Sequence, residues 1–347
     1  MVKKVTIYDI SEAAGVSACS VSWVLRNHPR SRNLSLKTRQ RILDTAEKMG
    51  YICNQLASAT STGQVNTIAV LLKFNELRNL VPMNQIMAGI MLETAERKFG
   101  VKVFSEDDPD SAFRSIMENR IGKVISMSLN RPSREKIAEL AEKYSLDLVY
   151  AYEHGHGRFP AVNTDNAEMT SAAVRYLAAH GHSRIGLLCV PHSWFYIEDR
   201  HNGYLRGMEQ CGLKVDPRWI STTDEIEQSV GQILALPKKE RPTAFVALSD
   251  SVAMKAQRQA WKMKLRIPED FSVVGIGDTD ASRLAIVPIT TFRETLSETG
   301  KLLVRLVLGE KTENSPDKFN VYLTHAELIE RESVFNINPT NANRRSK

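Results

Sequence analysis

The sequence predicts a small all-α helix-turn-helix headpiece followed by an α/β body of two doubly wound parallel-sheet lobes. Three observations predict it. First, charge is uneven: residues 1–65 hold four Lys and five Arg against two Asp and two Glu (+5), and the other 282 residues hold 37 basic and 36 acidic side chains (+1). Second, the first 50 residues divide into three short amphipathic segments with a glycine between the first two. Third, from Thr67 onward short apolar runs alternate with helical periodicity, and the scheme occurs twice. A length of 347 residues with 42% hydrophobic and 25% charged side chains suits two to three domains with real cores.

The head is justified helix by helix. Thr6 is placed to cap the first, with Asp9 three residues on and Ile7, Ile10 and Ala14 on one face. Gly15 supplies the left-handed residue of a tight turn. Ser17 is placed to cap the second, with Val21, Val24 and Leu25 inward; Asn27, His28 and Pro29 end it, because proline cannot continue a helix. Ser35 is placed to cap the third, with Ile42, Ala46 and Met49 inward and Gly50 as its stop. Two helices joined by A-A-G-V-S form a helix-turn-helix pattern. The outward side of the second helix carries Ala18, Cys19, Ser22, Trp23 and Arg26, a set of mostly small side chains that a major groove admits. Ser17, Ser20 and the helix N-terminus suit phosphates. A helical bundle used for dimer contacts, or a basic surface serving solubility alone, is the competing reading of this head.

Residues 54–66, NQLASATSTGQVN, lack hydrophobic periodicity and read as a linker. In the body, strands are predicted at Thr67–Phe74, Val101–Phe104, Lys123–Leu129 and Asp147–Tyr152. Helices between and after them carry Ile86, Ile90 and Met91; Phe113, Ile116 and Met117; and Ile137, Leu140, Ala141 and Tyr144. The second half repeats this. A helix with Met169, Ala173, Tyr176 and Leu177 precedes strand Arg184–Val190, and a helix with Tyr204, Leu205 and Met208 follows it. Strands Thr243–Ser249 and Ser272–Gly277 flank a helix that Asp250 is placed to cap. Two serial sheets imply two lobes with a cleft, and small ligands bind at the carboxyl ends of such strands. Arg200, Ser249, Asp250 and Asp278 all fall there; an arginine with carboxylates can hold adjacent sugar hydroxyls. Trp194, Phe195 and Tyr196 follow a strand end, either to stack on a sugar face or to join the lobes.

VTIYDISEAAGVSACSVSWVLRNHP and SLKTRQRILDTAEKMGY resemble the headpiece of the LacI/GalR family of bacterial transcription regulators. VNTDN, YLAAHGHSRIGLL, RHNGYLRGM, PTAFVALSDSVAM, IPEDFSVVGIGD, VPITTF and ELIERES then match that family's effector domain in order. The resemblance implies a periplasmic-binding-protein-like effector domain, a double-stranded DNA operator, a carbohydrate-like small-molecule effector, a homodimer and a cytoplasmic site of action, with no cofactor. It implies that Ala18 and Cys19 read bases, and that Ser17, Ser20, Ser22 and Asn27 contact backbone or bases, with Thr6 and Trp23 on the same DNA face. It divides the chain into a headpiece (1–53), a hinge (54–65), an effector and dimerisation domain (66–336) and a polar tail (337–347). The N-lobe would be about 66–161 plus 291–319, the C-lobe about 162–290 plus 320–336.

Departures from the family pattern matter. Its arginine after T-V-S is Trp23, and an indole with one donor cannot read guanine through two hydrogen bonds. In the hinge, where Asn54, Leu56 and Ala57 fit, the usual proline, arginine and wedge leucine are Cys53, Ser58 and Thr60. Thr60 is too small and polar to kink a duplex as leucine does. Ser249 replaces an asparagine, and Gly277 an effector-binding aspartate, leaving Asp278 in the second place. Asp250 matches the family's N-D aspartate and is either cap or ligand contact.

Enzymatic alternatives find no support. There is no GxGxxG after a strand, no GxxxxGK[ST] and no GxSxG elbow. The four cysteines form no CxxC pair, and His154/His156 and His180/His182 lack partners for a metal, so surface or turn histidines are expected. No apolar run reaches the ~18 residues that span a bilayer. The start has no apolar h-region, against a secreted solute-binding protein or a sugar-processing protein with an idle helical head. No leucine heptad follows Arg331, so a tetramerising coiled coil is not expected.

Overall fold

The computed structural model describes residues 5–26, 28–51, 65–74, 81–191, 194–313 and 315–338. Two compact units divide at Val65/Asn66.

The first unit holds α1 (Ile7–Ala14), α2 (Ala18–Leu25) and α3 (Leu36–Lys48). Thr6 and Asp9 form a reciprocal capping box, and Gly15 ends α1 at φ 62°, in the left-handed region that opens the turn into α2. Ser17 and Ser35 cap α2 and α3 through the backbone N–H groups of Ser20 and Thr38. Ile10, Ala14, Val21, Ile42 and Ala46 form the core. Only three of these are large, each contributing about 1.5–3 kcal/mol on burial. At about 1 kcal/mol apiece, the three caps together match one buried isoleucine.

The second unit continues with β1 (Thr67–Leu72), α4 (Val81–Glu96), β2 (Gly100–Ser105), α5 (Pro109–Glu118), β3 (Lys123–Ser126), α6 (Arg131–Lys143), β4 (Asp147–Ala151), β5 (Ala161–Thr164) and α7 (Asn166–Ala179). Next come β6 (Ile185–Cys189), α8 (Phe195–Gln210), β7 (Ile220–Thr222), α9 (Ile226–Leu234), β8 (Ala244–Ala247), α10 (Asp250–Lys262) and β9 (Ser272–Ile276). The short α11 (Asp280–Arg283), β10 (Thr290–Glu294), α12 (Leu296–Val307), β11 (Val321–Thr324) and β12 (Ala326–Ile329) complete it. One sheet runs β11-β5-β4-β3-β1-β2, all parallel. The other runs β12-β10-β9-β8-β6-β7, parallel except for the β10/β12 pair. The near-continuous apolar strands fit sheets covered on both faces. Ile86 and Ile90 of α4 are buried, whereas Met91 and Met117, expected on inward faces, are exposed.

The chain crosses between lobes at Asp165, Thr295 and His325, each a few residues beyond the expected position. In each case the chain adds a strand to the sheet it is leaving: β5, then β10, then β11. α12 returns to the N-lobe, packing on α4 and β4, while α7 packs on α8 in the C-lobe.

Candidate DNA-reading helix and inter-lobe pocket

In the head, Val21 fixes the inward side of α2. Ser17 and Cys19 are exposed, and Ala18, Ser20, Ser22 and Trp23 are half-buried on the remaining surface. The Ser17 hydroxyl accepts from Ser20 N–H at 3.2 Å and lies 2.9 Å from the Ser20 hydroxyl. The Thr6 hydroxyl donates to Asp9 at 2.6 Å within the capping box. The Trp23 ring stacks on His28 with centroids 6.4 Å apart, and the Arg30 guanidinium stands 5.9 Å above it. The indole is thus oriented by the segment after α2. Asn27, Asn54, Ala57 and Thr60 lie outside the described residues, as does the rest of the expected hinge up to residue 64.

Within the second unit, a pocket of about 400 Å³ opens at the carboxyl ends of the C-lobe strands and meets Tyr152 of the N-lobe. Arg200, Ser249 and Asp250 line it together with Trp194, Tyr196, Gly277 and Glu294. Arg200 projects from α8, whose close packing on α7 depends on Gly203: a Cβ there would sit 2.3 Å from the Ala167 carbonyl oxygen. This explains the spacing of arginine and glycine in R-H-N-G-Y. The Arg200 guanidinium is 3% exposed and engages four of its five N–H groups. It donates to Asn166 Oδ1 at 2.7 Å, the Leu248 carbonyl at 2.8 Å, the Tyr152 hydroxyl at 2.7 Å and Glu294 Oε2 at 3.1 Å. The Tyr152 hydroxyl donates in turn to Glu294 Oε1 at 2.7 Å. Burial works against the Arg200 charge, but Tyr152 and Glu294 outweigh it, and the guanidinium titrates above its ordinary value. Burial also pushes the Tyr152 phenol well above its usual range. Tyr196 lies 4.8 Å from the Tyr152 ring and 5.6 Å from the Trp194 ring, so the three form an aromatic run along the pocket.

Ser249, not Asp250, caps α10: its hydroxyl accepts from Val252 N–H at 3.3 Å. Asp250 is buried, and its carboxylate accepts from Thr279 N–H at 2.8 Å, the Thr279 hydroxyl at 3.0 Å and the Thr291 hydroxyl at 2.6 Å. Gly277 has φ 131°, and a Cβ there would sit 3.5 Å from Asp250 Oδ2. The Asp250 carboxylate therefore fills space beside the missing side chain. Asp278 differs from expectation. Its backbone turns left-handed, and its carboxylate meets Arg331, Arg293 and Arg283 rather than the pocket. Burial raises its pKa, but hydrogen bonds from the three arginines more than offset this, and the carboxyl titrates below its ordinary value.

Glu294 and Tyr152 are pocket residues that the sequence does not single out, and Asn166 holds Arg200 from behind the pocket lining. Glu294 and Tyr152 were discoverable, since each stands at the end of a strand or one residue beyond it. The H-x-H pairs meet the expectation of surface or turn positions in one member each, since His156 is exposed and His180 stands in the turn after α7, and depart from it in the other. His182 is buried between the Thr243 hydroxyl and the Phe335 carbonyl. His154 is sandwiched by Phe195 and Phe319 at 4.4 and 4.8 Å. Among the described residues no cluster could hold a metal, and no helix is long and apolar enough to cross a membrane.

Comparison with known proteins is consistent along the chain. A family model described as bacterial regulatory proteins, lacI family, matches residues 6–54, and a periplasmic binding protein-like domain matches 174–334. The transcriptional repressor CytR of Escherichia coli is 28% identical over 318 residues, covering 88% of this chain and 89% of that protein. The repressor PurR of Pasteurella multocida is 24% identical over 340 residues, covering 95% and 98%. Among solved structures, the lac repressor dimer bound to operator and an anti-inducer has a TM-score of 0.73 at 23% identity, covering 96% of this chain and 100% of that one. The complex of the regulator CelR with cellobiose has a TM-score of 0.65 at 22% identity, covering 95% and 100%.

Proposed function

Because the chain belongs to the LacI family of bacterial regulatory proteins, we propose that it is a cytoplasmic, homodimeric transcriptional repressor whose operator affinity is set by a carbohydrate-like effector held between the lobes. The relatives CytR and PurR are transcriptional repressors. The head is assigned to operator DNA through Thr6, Ser17, Ala18, Cys19, Ser20, Ser22, Trp23 and Asn27, with Asn54, Ala57 and Thr60 as hinge contacts. Two symmetric heads on a palindrome supply the contacts one small head lacks. Arg200, Ser249 and Asp250 are assigned to the effector pocket. An effector that prefers one arrangement of the lobes shifts operator affinity by its differential affinity for the two states.

The observation that carries this reading is the buried Arg200 at the floor of an aromatic-lined pocket, in a chain that begins with a capped helix-turn-helix. The test is a thermal-shift screen of the full-length protein against sugars, sugar acids, polyols and nucleobases, since a ligand that binds only the folded state raises apparent stability. A hit should change affinity for DNA selected from a random pool and lose its shift in Arg200→Lys. A hit that leaves DNA affinity unchanged counts against effector control.

A further inference from the structure

We infer that Glu294 is the specificity-determining residue of the inter-lobe pocket and restricts it to uncharged effectors by occupying the guanidinium of Arg200. The inference rests on that pocket being the effector site. Among the described residues, four charged side chains line the pocket: Arg200, Asp250, Lys255 and Glu294. Lys255 is exposed, so the described part of the interior holds one cation facing two carboxylates. An arginine fork is the natural seat for a ligand carboxylate or phosphate, through parallel charge-assisted hydrogen bonds. Here that seat is filled by the protein. Glu294 accepts from Arg200 at 3.1 Å, with side chains only 1% and 4% exposed. Tyr152 donates to one Glu294 oxygen and accepts from the same Arg200 nitrogen, so the three groups close a ring of hydrogen bonds.

An anionic ligand entering this pocket meets an arginine already neutralised, a buried carboxylate on it and a second at Asp250. Its own hydration would be lost with no free cation among the described interior residues to replace it. An uncharged polyhydroxyl or flat ring system meets the opposite situation. Hydroxyls can both donate to carboxylate oxygens and accept from N–H groups, and Trp194 and Tyr196 offer flat faces. Sugars and their uncharged derivatives fit. Sugar acids and sugar phosphates do not.

The test uses full-length wild type, Glu294→Gln and Glu294→Ala, with sodium acetate and inorganic phosphate as probes against sodium chloride at equal ionic strength. Thermal shift reads anion binding, and fluorescence anisotropy reads affinity for DNA selected from a random pool. Emptying the fork should create an anion site. Acetate should bind Glu294→Ala at least about tenfold more tightly than wild type, as a saturable stabilisation that chloride does not produce. Glu294→Gln keeps the side-chain shape, and should bind phosphate or acetate better than wild type even if the alanine variant folds poorly. Acetate binding equally to all three proteins, or to neither folded variant, overturns the assignment of Glu294. Ligands that bind the pocket without altering DNA affinity in any variant overturn effector control instead, and leave the charge selectivity standing.

Discussion

His154 Nε2 lies 2.8 Å from Asp199 Oδ2, joining the N-lobe segment after β4 to α8 of the C-lobe. The contact sits in a larger inter-lobe seam: Arg131 pairs with Glu198 at 2.6 Å, and Glu153 Oε1 accepts from Phe195 N–H at 3.3 Å. Since α8 also carries Arg200, a change in lobe closure must move the pocket and the seam together. A double-mutant cycle with His154→Ala and Asp199→Ala should give a coupling of about 0.5–1 kcal/mol in chemical denaturation, as expected for a partly exposed pair. Additive effects would remove this pair from the seam.

Ser249 and Asp250 are adjacent but hold different structures together. Ser249→Ala removes a helix cap and should cost about 1 kcal/mol. Asp250→Ala strands the half-buried Thr279 N–H and hydroxyl and the buried Thr291 hydroxyl, and should cost about 3 kcal/mol. Denaturant midpoints compare the two; equal losses would mean that Asp250 has no more of a linking role than a cap.

Gly203→Ala should be more disruptive than a surface-helix alanine. Helix propensity alone would favour alanine by about 1 kcal/mol, but the new Cβ would stand 2.3 Å from a backbone oxygen of α7. Backbone cannot yield as a side-chain tip can, so a net loss of about 1–3 kcal/mol is expected from overpacking. A stabilised variant in thermal denaturation would show that α7 and α8 separate freely.

These cases indicate what the sequence could and could not disclose. The head was legible down to its caps, because Thr6, Ser17 and Ser35 act on backbone N–H groups three residues away. Strands β1–β4, β6, β8 and β9 were legible as apolar runs, whereas β5, β7, β10, β11 and β12 were not. The lobe crossings were legible only to within a few residues, because whether β5, β10 or β11 stays with one sheet depends on pairing with strands distant in sequence. Arg200 was legible from its position after a strand. Its neutralisation was not, since Glu294 and Tyr152 lie 94 and 48 residues away. Asp278 is drawn off the pocket by three arginines, of which Arg283 is close in sequence while Arg293 and Arg331 reach it only through the fold.

Trp23→Arg should restore a family-like reading of DNA. Selection from a random pool with wild type and variant is expected to give different consensus sequences, the variant gaining a guanine worth about 1–3 kcal/mol of discrimination at the contacted step. The Trp23 ring, braced by His28 and Arg30, offers an apolar surface instead. Recovery of the usual family palindrome by wild type would show that the base-reading role lies elsewhere on α2.

Two buried groups should give the folded protein opposing pH dependences. Burial lowers the His182 pKa from 6.5 to about 4. As pH falls through this window the unfolded chain binds the proton first, so the contribution of His182 is complete above 6.5 and is lost toward 4. Its full size is about 3 kcal/mol. Burial raises the Glu153 carboxyl from 4.5 to about 7, against the pull of Arg134 and His154. Here the folded chain holds the proton longer, so the contribution is complete below 4.5 and is lost as pH rises toward 7. Between 4.5 and 6.5 the two slopes oppose, and wild-type stability should vary little from these sites. His182→Gln should leave the Glu153 slope, with stability falling as pH rises; Glu153→Gln should leave the His182 slope, with stability climbing. Urea denaturation across this window reads both directions, and variants with slopes of the same sign would show that one of the two groups titrates normally in the fold.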